Sequence, residues 1–582
     1  MTDCALALVG RGRCLLYRGP DAARWVGIFL FVAIGIGLRS PWPADEPRFA
    51  LAAMDMVLND HWLLPHRGGE IYADKPPFFL WLQALFYLIT GNMRIAFLLP
   101  SLFASMATLW MVHDLTRRLF GREQAWFAVL LLLVTLQFTL QAKTAQIDAT
   151  VCALITLGAY GLTRHYCLGP NVGWYAVAWF AMGVGIITKG VGFLPVFLLP
   201  GFWLASKHNE RRSAETAKPG WRFRCAPLLI LVPAFLWLLP LFVSAYVDNR
   251  QEMAAYLDEI LFRQTVTRYA GGLGHFKPAW YYLTDVIPGL WMPLSVLLIW
   301  LIPDWVRHLR GWSIVHWGLI SFVLLGLLFF TMSPGKRGVY LLPLLPPLAV
   351  LAGGSVHTLV GRDKPVILLR IIALLIGASL LLAAGATSFE LGPLSDRLER
   401  AEMELLPTML FLMLLGSIWV IAAILIRSGG AFTVAVTASW LLIGTWGFSL
   451  LDPVRSADQL MKKAASRIGP ESELAIAGFR EQQLLQADRP VVHWGYHSAV
   501  DDQLVDAAEW LRGDRNRYLL APEDSSSSCF GDGVGNWIGF RHRRDWRLLS
   551  AADIGPEIRC SGSADRVQRF IAPFVNYPSG RR

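Results

Sequence analysis

Residues 45–77, DEPRFALAAMDMVLNDHWLLPHRGGEIYADKPP, follow directly on the first hydrophobic run of the chain. They set Asp45, Glu46 and Arg48 at one end and Asp74 and Lys75, ahead of two prolines, at the other. Apolar sequence lies on both sides, at 24–40 before the stretch and as FFLWLQALFYLIT at 78–90 after it. Ionised groups at a membrane edge cost enough free energy to imply a use. The stretch therefore reads as a polar loop between membrane segments.

Composition agrees. With 582 residues, 54% hydrophobic, 16% charged and a mean hydropathy of +0.44, the chain is too apolar for an ordinary soluble protein. Its 24 Trp, 33 Pro and 51 Gly suit membrane helices and their interfaces. The net charge of +10 invites a nucleic-acid partner, but the basic excess sits in short segments between apolar runs, such as Arg117, Arg118 and Arg122, residues 207–224, and Arg307 with Arg310. A positive-inside pattern accounts for it, and no nucleic acid is expected.

At roughly 17–25 apolar residues per helix, the expected architecture is an α-helical polytopic membrane protein of about thirteen transmembrane helices, at 24–40, 95–113, 125–141, 149–165, 172–188, 190–206, 226–247, 286–303, 313–331, 338–357, 366–385, 406–426 and 430–450. This phase puts every basic cluster on one side, the N-terminus inside and the C-terminus outside. It also makes 78–90, with 13 residues after two prolines, an interfacial or re-entrant helix. The basic N-terminus and first apolar run resemble a signal peptide, but without a small-residue cleavage site the run is expected to stay as the first span. The resulting division is a cytoplasmic segment 1–23, a transmembrane domain 24–451 with outer loops 41–94 and 248–285, and an outer soluble α/β domain 452–582. In the last of these, β-like pieces (ELAIAGF, PVVHWGY, RYLLAPE) alternate with helical ones. Two of the seven cysteines, Cys529 and Cys560, fall there and could pair in an oxidising compartment; the sequence does not fix their distance.

With this topology the uncommon polar groups collect on the outer side. Asp45 and Glu46 either end a helix as interfacial charges, or one faces a cavity to deprotonate an acceptor, hold a metal or steady positive charge. Lys75 is either a snorkelling lysine or a cation fixed where the chain re-enters the membrane. Asp148, in QAKTAQID beside Lys143, caps a helix or serves a site, and Lys189, in TKGVGFLP, has the same two readings. Lys336 and Arg337, in SPGKRGVYLLPLLPP, run against the outer charge bias and suit an anion, with Tyr340 one turn away. The long loop 248–285 offers Arg263, Arg268, His275 and Lys277 around a flexible AGGLG, a length that suits a substrate lid.

The order of these motifs resembles the GT-C membrane glycosyltransferases, specifically the bacterial aminoarabinose transferase and protein mannosyltransferase-like group. DEPRFA is similar to the family's acidic first-loop motif, DKPP to its acidic-Lys-Pro-Pro motif, and AQID to its later Asp motif. RYAGGLGHFKPAWYYL and SPGKRGVYLLPLLPP are similar to the outer Arg loop and the Ser-Gly-Lys-Tyr-Leu-Pro motif. The resemblance covers about residues 24–350. It implies the GT-C fold, with Asp45 as the essential acid, Arg48 its neighbour and Asp148 a further carboxylate. Lys75, Arg268 and Tyr340 would contact a carrier phosphate, with Lys336, Glu46 and His275 as further substrate contacts. Two departures stand out: Asp74 where relatives often have Glu, and Thr265 where they tend to have His. Any divalent metal would fall on Asp74, and no cofactor is otherwise required.

The implied reaction moves a sugar from a polyprenyl phosphate, undecaprenyl by expectation, to lipid A, another glycan or a protein, at the periplasmic face of a bacterial inner membrane. A protein O-mannosyltransferase-like enzyme and a flippase for an anionic lipid are the alternatives. A flippase should carry its charged features near mid-bilayer, whereas here they gather at the outer edge. A sensor anchored in the membrane would not need so many spans.

Overall fold

The structure, a computed structural model of the whole chain, describes residues 20–210, 221–261, 277–388, 398–400, 402–531, 533–554 and 568–570. Among them, seven helices are long and apolar enough to cross a membrane: Met93–Leu119, Val172–Lys189, Trp221–Tyr246, Ile314–Met332, Asp363–Thr387, Leu405–Leu425 and Gly430–Arg455. Two bent pairs bring the number to nine if each is one span: Arg122–Val134 with Leu136–Ala142 at 73°, and Tyr282–Leu290 with Leu294–Arg310 at 105°. The protein is an integral membrane protein; among the described residues, length and apolar composition support seven to nine spans of the thirteen expected.

The reasons are local. Helices Asp21–Ala33 and Leu198–Glu210 have 13 residues each, short of the roughly 17–25 that a bilayer needs. Ile147–Cys167 has 21 but carries Asp148, Arg164 and His165. Gly338–Gly354 is apolar but starts as a 3-10 helix and is short. Phe78–Thr90, again 13 residues, stops at Gly91, whose φ of 62° is a left-handed cap.

Outward faces such as Leu231, Phe235, Leu236, Leu382 and Leu425 are exposed and apolar, as a lipid solvent requires. Inward, small residues let helices touch. Where Asp363–Ser388 packs on Leu405–Leu425, a Cβ on Gly377 would lie 2.9 Å from the Gly416 carbonyl oxygen, and one on Gly416 equally close to that of Gly377.

Beyond residue 455 the chain builds an α/β unit. Strands β3 (Glu473–Ile476), β4 (Val491–His493) and β5 (Arg517–Pro522) are parallel, β3 lying between β4 and β5. Strands β7 (Arg544–Ser550), β6 (Asn536–Arg541) and β8 (Gln568–Phe570) extend the edges antiparallel, giving the order β6-β7-β5-β3-β4-β8. A two-stranded hairpin, β1 (His66–Arg67) with β2 (Glu70–Ile71), lies in the first polar loop.

Side chains alternate across a strand, so the large sheet has two apolar faces. Ala475, Ala477, Leu519, Ala521 and Leu549 pack with Leu504, Ala507, Ala508 and Leu511 of helix Val500–Arg512. Their neighbours Leu474, Ile476, Leu520 and Leu548 join the core that continues into the membrane helices. The first loop is tied to the end of the last span, where Asp452 accepts hydrogen bonds from Ser40 N (2.7 Å) and Trp42 Nε1 (2.8 Å).

Candidate active site

Helix Glu46–Leu58 starts at Asp45 with a proline in its first turn. Asp45 Oδ2 lies 3.3 Å from Arg337 Nη2. Arg337 precedes the 3-10 helix Gly338–Leu344, which is anchored by a hydrogen bond from Gln137 Nε2 to the Gly338 carbonyl (2.8 Å); Trp291 Nε1 in turn donates to Gln137 Oε1 (2.7 Å). Burial opposes the Arg337 charge, but Asp45, Asp148 and Tyr340 outweigh it and hold its pKa above the ordinary range. The Arg337 side chain is still 42% exposed, against 20% for Asp45. One edge of the guanidinium is therefore fixed while the rest stays open to a ligand.

Asp148, in the first turn of Ile147–Cys167, pairs with Lys189, the last residue of Val172–Lys189. Lys189 Nζ also sits 4.8 Å from the centroid of the Tyr340 ring. The glycines that follow serve the backbone: Gly190 (φ 81°) ends the helix, and a Cβ on Gly192 would fall 2.3 Å from Gly185 backbone. Asp45, Asp148, Lys189, Arg337 and Tyr340 thus converge from four separate segments.

A second network adjoins the first. Arg48, one turn after Asp45, donates from Nε to Glu481 Oε1 (2.9 Å), and its Nη1 lies 3.8 Å from Asp74 Oδ2. Arg67 is 2% exposed; its Nη1 lies 3.6 Å from Glu481 Oε1 and 4.0 Å from Asp74 Oδ2. Its guanidinium stacks 3.7 Å from the Tyr496 ring centroid, with His497 Nε2 3.2 Å from Nη2. Burial works against the Arg48 charge, but Glu481 more than offsets it and raises the pKa. The Tyr72 hydroxyl is buried without a hydrogen bond; burial and then Asp74 raise its pKa, against Arg48 and Arg67, and Asp45 adds to the rise. It lies within electrostatic reach of both networks. Lys75 is half-buried immediately before Pro76 and Pro77.

Several expected residues play other parts. Glu46 is not aimed at a cavity: its carboxylate takes Arg39 Nη1 (2.5 Å) and Nη2 (2.7 Å), Trp42 N (2.8 Å) and Ala145 N (2.8 Å), which leaves it no free face for a substrate. Lys143 is buried and donates to the Phe31 (2.6 Å), Ile34 (3.3 Å) and Val32 (3.4 Å) carbonyls, capping the end of Asp21–Ala33. Lys336 is buried and bonds the Ser333 carbonyl (2.8 Å), leaving its neighbour Arg337 to meet the acid. Asp74 does not fit a metal ligand, because the groups facing it are the guanidiniums of Arg48 and Arg67. Arg263, Thr265, Arg268 and His275, the Cys529 side chain and Cys560 lie outside the described residues.

Sequence reading missed Arg67, Tyr72 and above all Glu481. The first two stand within the quoted loop, and their signal was proximity to DKPP. Glu481 lies over 400 positions from its partner Arg48, and its EQQLLQ context reads as an ordinary helix.

Comparison with known proteins bears on this arrangement. Residues 74–237 match the family model described as dolichyl-phosphate-mannose-protein mannosyltransferase. The solved structure of ArnT from Cupriavidus metallidurans bound to undecaprenyl phosphate superposes over 92% of this chain and 99% of its own, with a TM-score of 0.68 at 20% identity. The chain has the fold of that ArnT structure. Curated relatives carry the name undecaprenyl phosphate-alpha-4-amino-4-deoxy-L-arabinose arabinosyl transferase. The protein of that name from Shewanella sediminis is 26% identical over 344 residues, and the match spans 58% of its length and 56% of this chain. The one from Pseudomonas aeruginosa PAO1 is 27% identical over 565 residues, 94% of this chain and 93% of the relative.

Proposed function

We propose that this chain is a glycosyltransferase that moves a sugar from undecaprenyl phosphate to lipid A or a related envelope acceptor. The reaction takes place at the periplasmic face of the bacterial inner membrane, where residues 452–582 also lie. What carries the reading is Arg337, fixed by Asp45 on one edge and open on the other, beside the Asp148–Lys189 pair and the Tyr340 ring. The relatives' name and the carrier bound by the Cupriavidus protein supply the donor class.

The carrier phosphate binds among Lys75, Arg337 and Tyr340, with Arg268 and His275 of the loop 248–285 as further contacts. As the glycosidic bond breaks, negative charge grows on that phosphate. Cations already in place stabilise it more in the transition state than in the ground state, without reorganising. Phosphate leaves readily, so no general acid is needed. A lipid A phosphate acceptor is already anionic, and Asp45 then holds Arg337 and steadies oxocarbenium character. A hydroxyl acceptor would use Asp45 as the base. A single displacement inverts the anomeric carbon. Lys336, tied to Ser333, stiffens the loop that presents Arg337, and Arg48 positions the loop carrying Asp74 and Lys75.

The test is transfer by purified wild type and by the Asp45→Ala, Lys75→Ala and Arg337→Ala variants, using a polyprenyl phosphate-linked sugar and lipid A in detergent. Each variant is expected to lose about 10²–10³-fold in kcat, the cost of removing one preorganised stabilising group. Wild-type rates in all three folded variants would refute the site.

A further inference from the structure

The other end of helix Glu46–Leu58 carries a group that the transfer reading does not use. Asp55 is 7% exposed. Its Oδ2 lies 2.6 Å from His61 Nδ1 and 3.8 Å from His66 Nδ1, while Oδ1 accepts from Asn59 Nδ2 at 2.7 Å. The two imidazoles lie side by side, with centroids 4.0 Å apart and planes 35° from parallel. One donor atom from each of the three residues falls within a sphere of contacts no longer than 4.8 Å.

A plain hydrogen-bonded pair explains only half of this. Two ring nitrogens converge on one carboxylate oxygen, and only His61 reaches it. His66 Nδ1 is enclosed without a hydrogen-bond partner, which a buried polar atom pays for in lost solvation. A cation between the three donors would satisfy all of them at once. Asn59 already does what an outer-shell group does at a metal centre, turning the carboxylate towards the ligands.

We propose that Asp55, His61 and His66 bind a divalent transition metal of the zinc type, which clamps the first outer loop. Two imidazoles and a carboxylate suit zinc and disfavour magnesium or calcium, which prefer all-oxygen sets. The His61 side chain is 39% exposed, so a fourth position opens to water. At 1.5 Å per residue, Asp55 stands about 15 Å along the helix from Asp45, so this centre is separate from the acid–arginine site. Its consequence for that site is mechanical. His66 and Arg67 form strand β1, so metal at His66 fixes the strand that delivers Arg67 to Asp74 and Glu481. The inference does not rest on the transfer reading and stands or falls by metal binding.

The full-length protein, purified in detergent without a histidine tag and stripped with a chelator, would be titrated with Zn²⁺. Bound metal is read by elemental analysis after dialysis, and thermal unfolding is followed in parallel. Co²⁺ serves as an optical probe of coordination. One equivalent per chain and a raised Tm are expected. In His66→Ala and in the more exposed His61→Ala, affinity should fall at least about 100-fold and the Co²⁺ bands should disappear, while His357→Ala, at a distant histidine, keeps both. No uptake by wild type, or equal uptake in whichever of the two ligand variants folds, overturns the proposal.

Discussion

At the residue scale, Glu46 and Asp45 show how adjacent carboxylates divide their work. Glu46 closes a bidentate ion pair with Arg39, both buried, whereas Asp45 meets a half-exposed arginine. Glu46→Ala should therefore damage folding before catalysis. Removing one partner of a buried pair leaves the other charge uncompensated, at a cost of about 3–5 kcal/mol. Thermal unfolding of the detergent-solubilised protein should register that loss, with a large drop in folded yield, while Asp45→Ala keeps its Tm and loses activity. A Glu46→Ala protein with wild-type stability would contradict the assignment. Asp45 and Asp148, which the structure pairs with Arg337 and Lys189, stand out in the sequence as carboxylates beside apolar runs. The role of Glu46 was not legible, since Arg39 ends an apolar run and passed as part of the first span. An arginine so placed has to be buried with an acid nearby, and that was the available signal.

At the scale of elements, the parallel centre of the C-terminal sheet carries a pH liability. His493, at the end of β4, is fully buried; burial pushes its pKa down to about 4, against a weak opposing pull from Glu70. Its Nδ1 accepts a hydrogen bond from Gly495 N at 3.1 Å, which only the neutral ring can do. His542, beyond β6, is likewise held at about 4 by burial and then by Arg541, Arg480 and Arg455. The unfolded chain would titrate both near 6.5. Between about 6.5 and 4 it binds more protons than the folded one, so stability falls as pH drops through that window and is unaffected above it. The two shifts together amount to at most about 7 kcal/mol at 1.36 kcal/mol per unit. Amide hydrogen exchange of the full-length protein, with the base-catalysed intrinsic rate at each pH divided out, should show lower protection in β3, β4 and β5 at pH 5 than at pH 7.5, and a smaller loss in His493→Gln. Identical protection at both pH values would refute it. The strands themselves were readable from ELAIAGF, PVVHWGY and RYLLAPE. The number of spans was less so, because an apolar run in the sequence does not reveal that its helix stops at 13 residues, nor foresee a 105° bend.

At the scale of the whole molecule, the proposed orientation puts the basic segments inside. Cys225, exposed beside residues 207–224, should then react with a membrane-impermeant maleimide in inverted vesicles and not in spheroplasts, in a variant retaining it as the only cysteine. The opposite pattern would reverse the topology. The sheet's second face shares its core with the helices, and Glu481, Tyr496 and His497 complete the surroundings of Arg48 and Arg67 from 430 or so residues downstream. At 5–20 residues per second, the ribosome takes about 20–90 s to cover that interval. Throughout it the nascent chain holds two early arginines without their late partners, and the loop bearing Asp74 and Lys75 stays unset. A product stalled before Glu481 can thus carry every membrane helix and still leave Arg48 and Arg67 without the carboxylate that joins them.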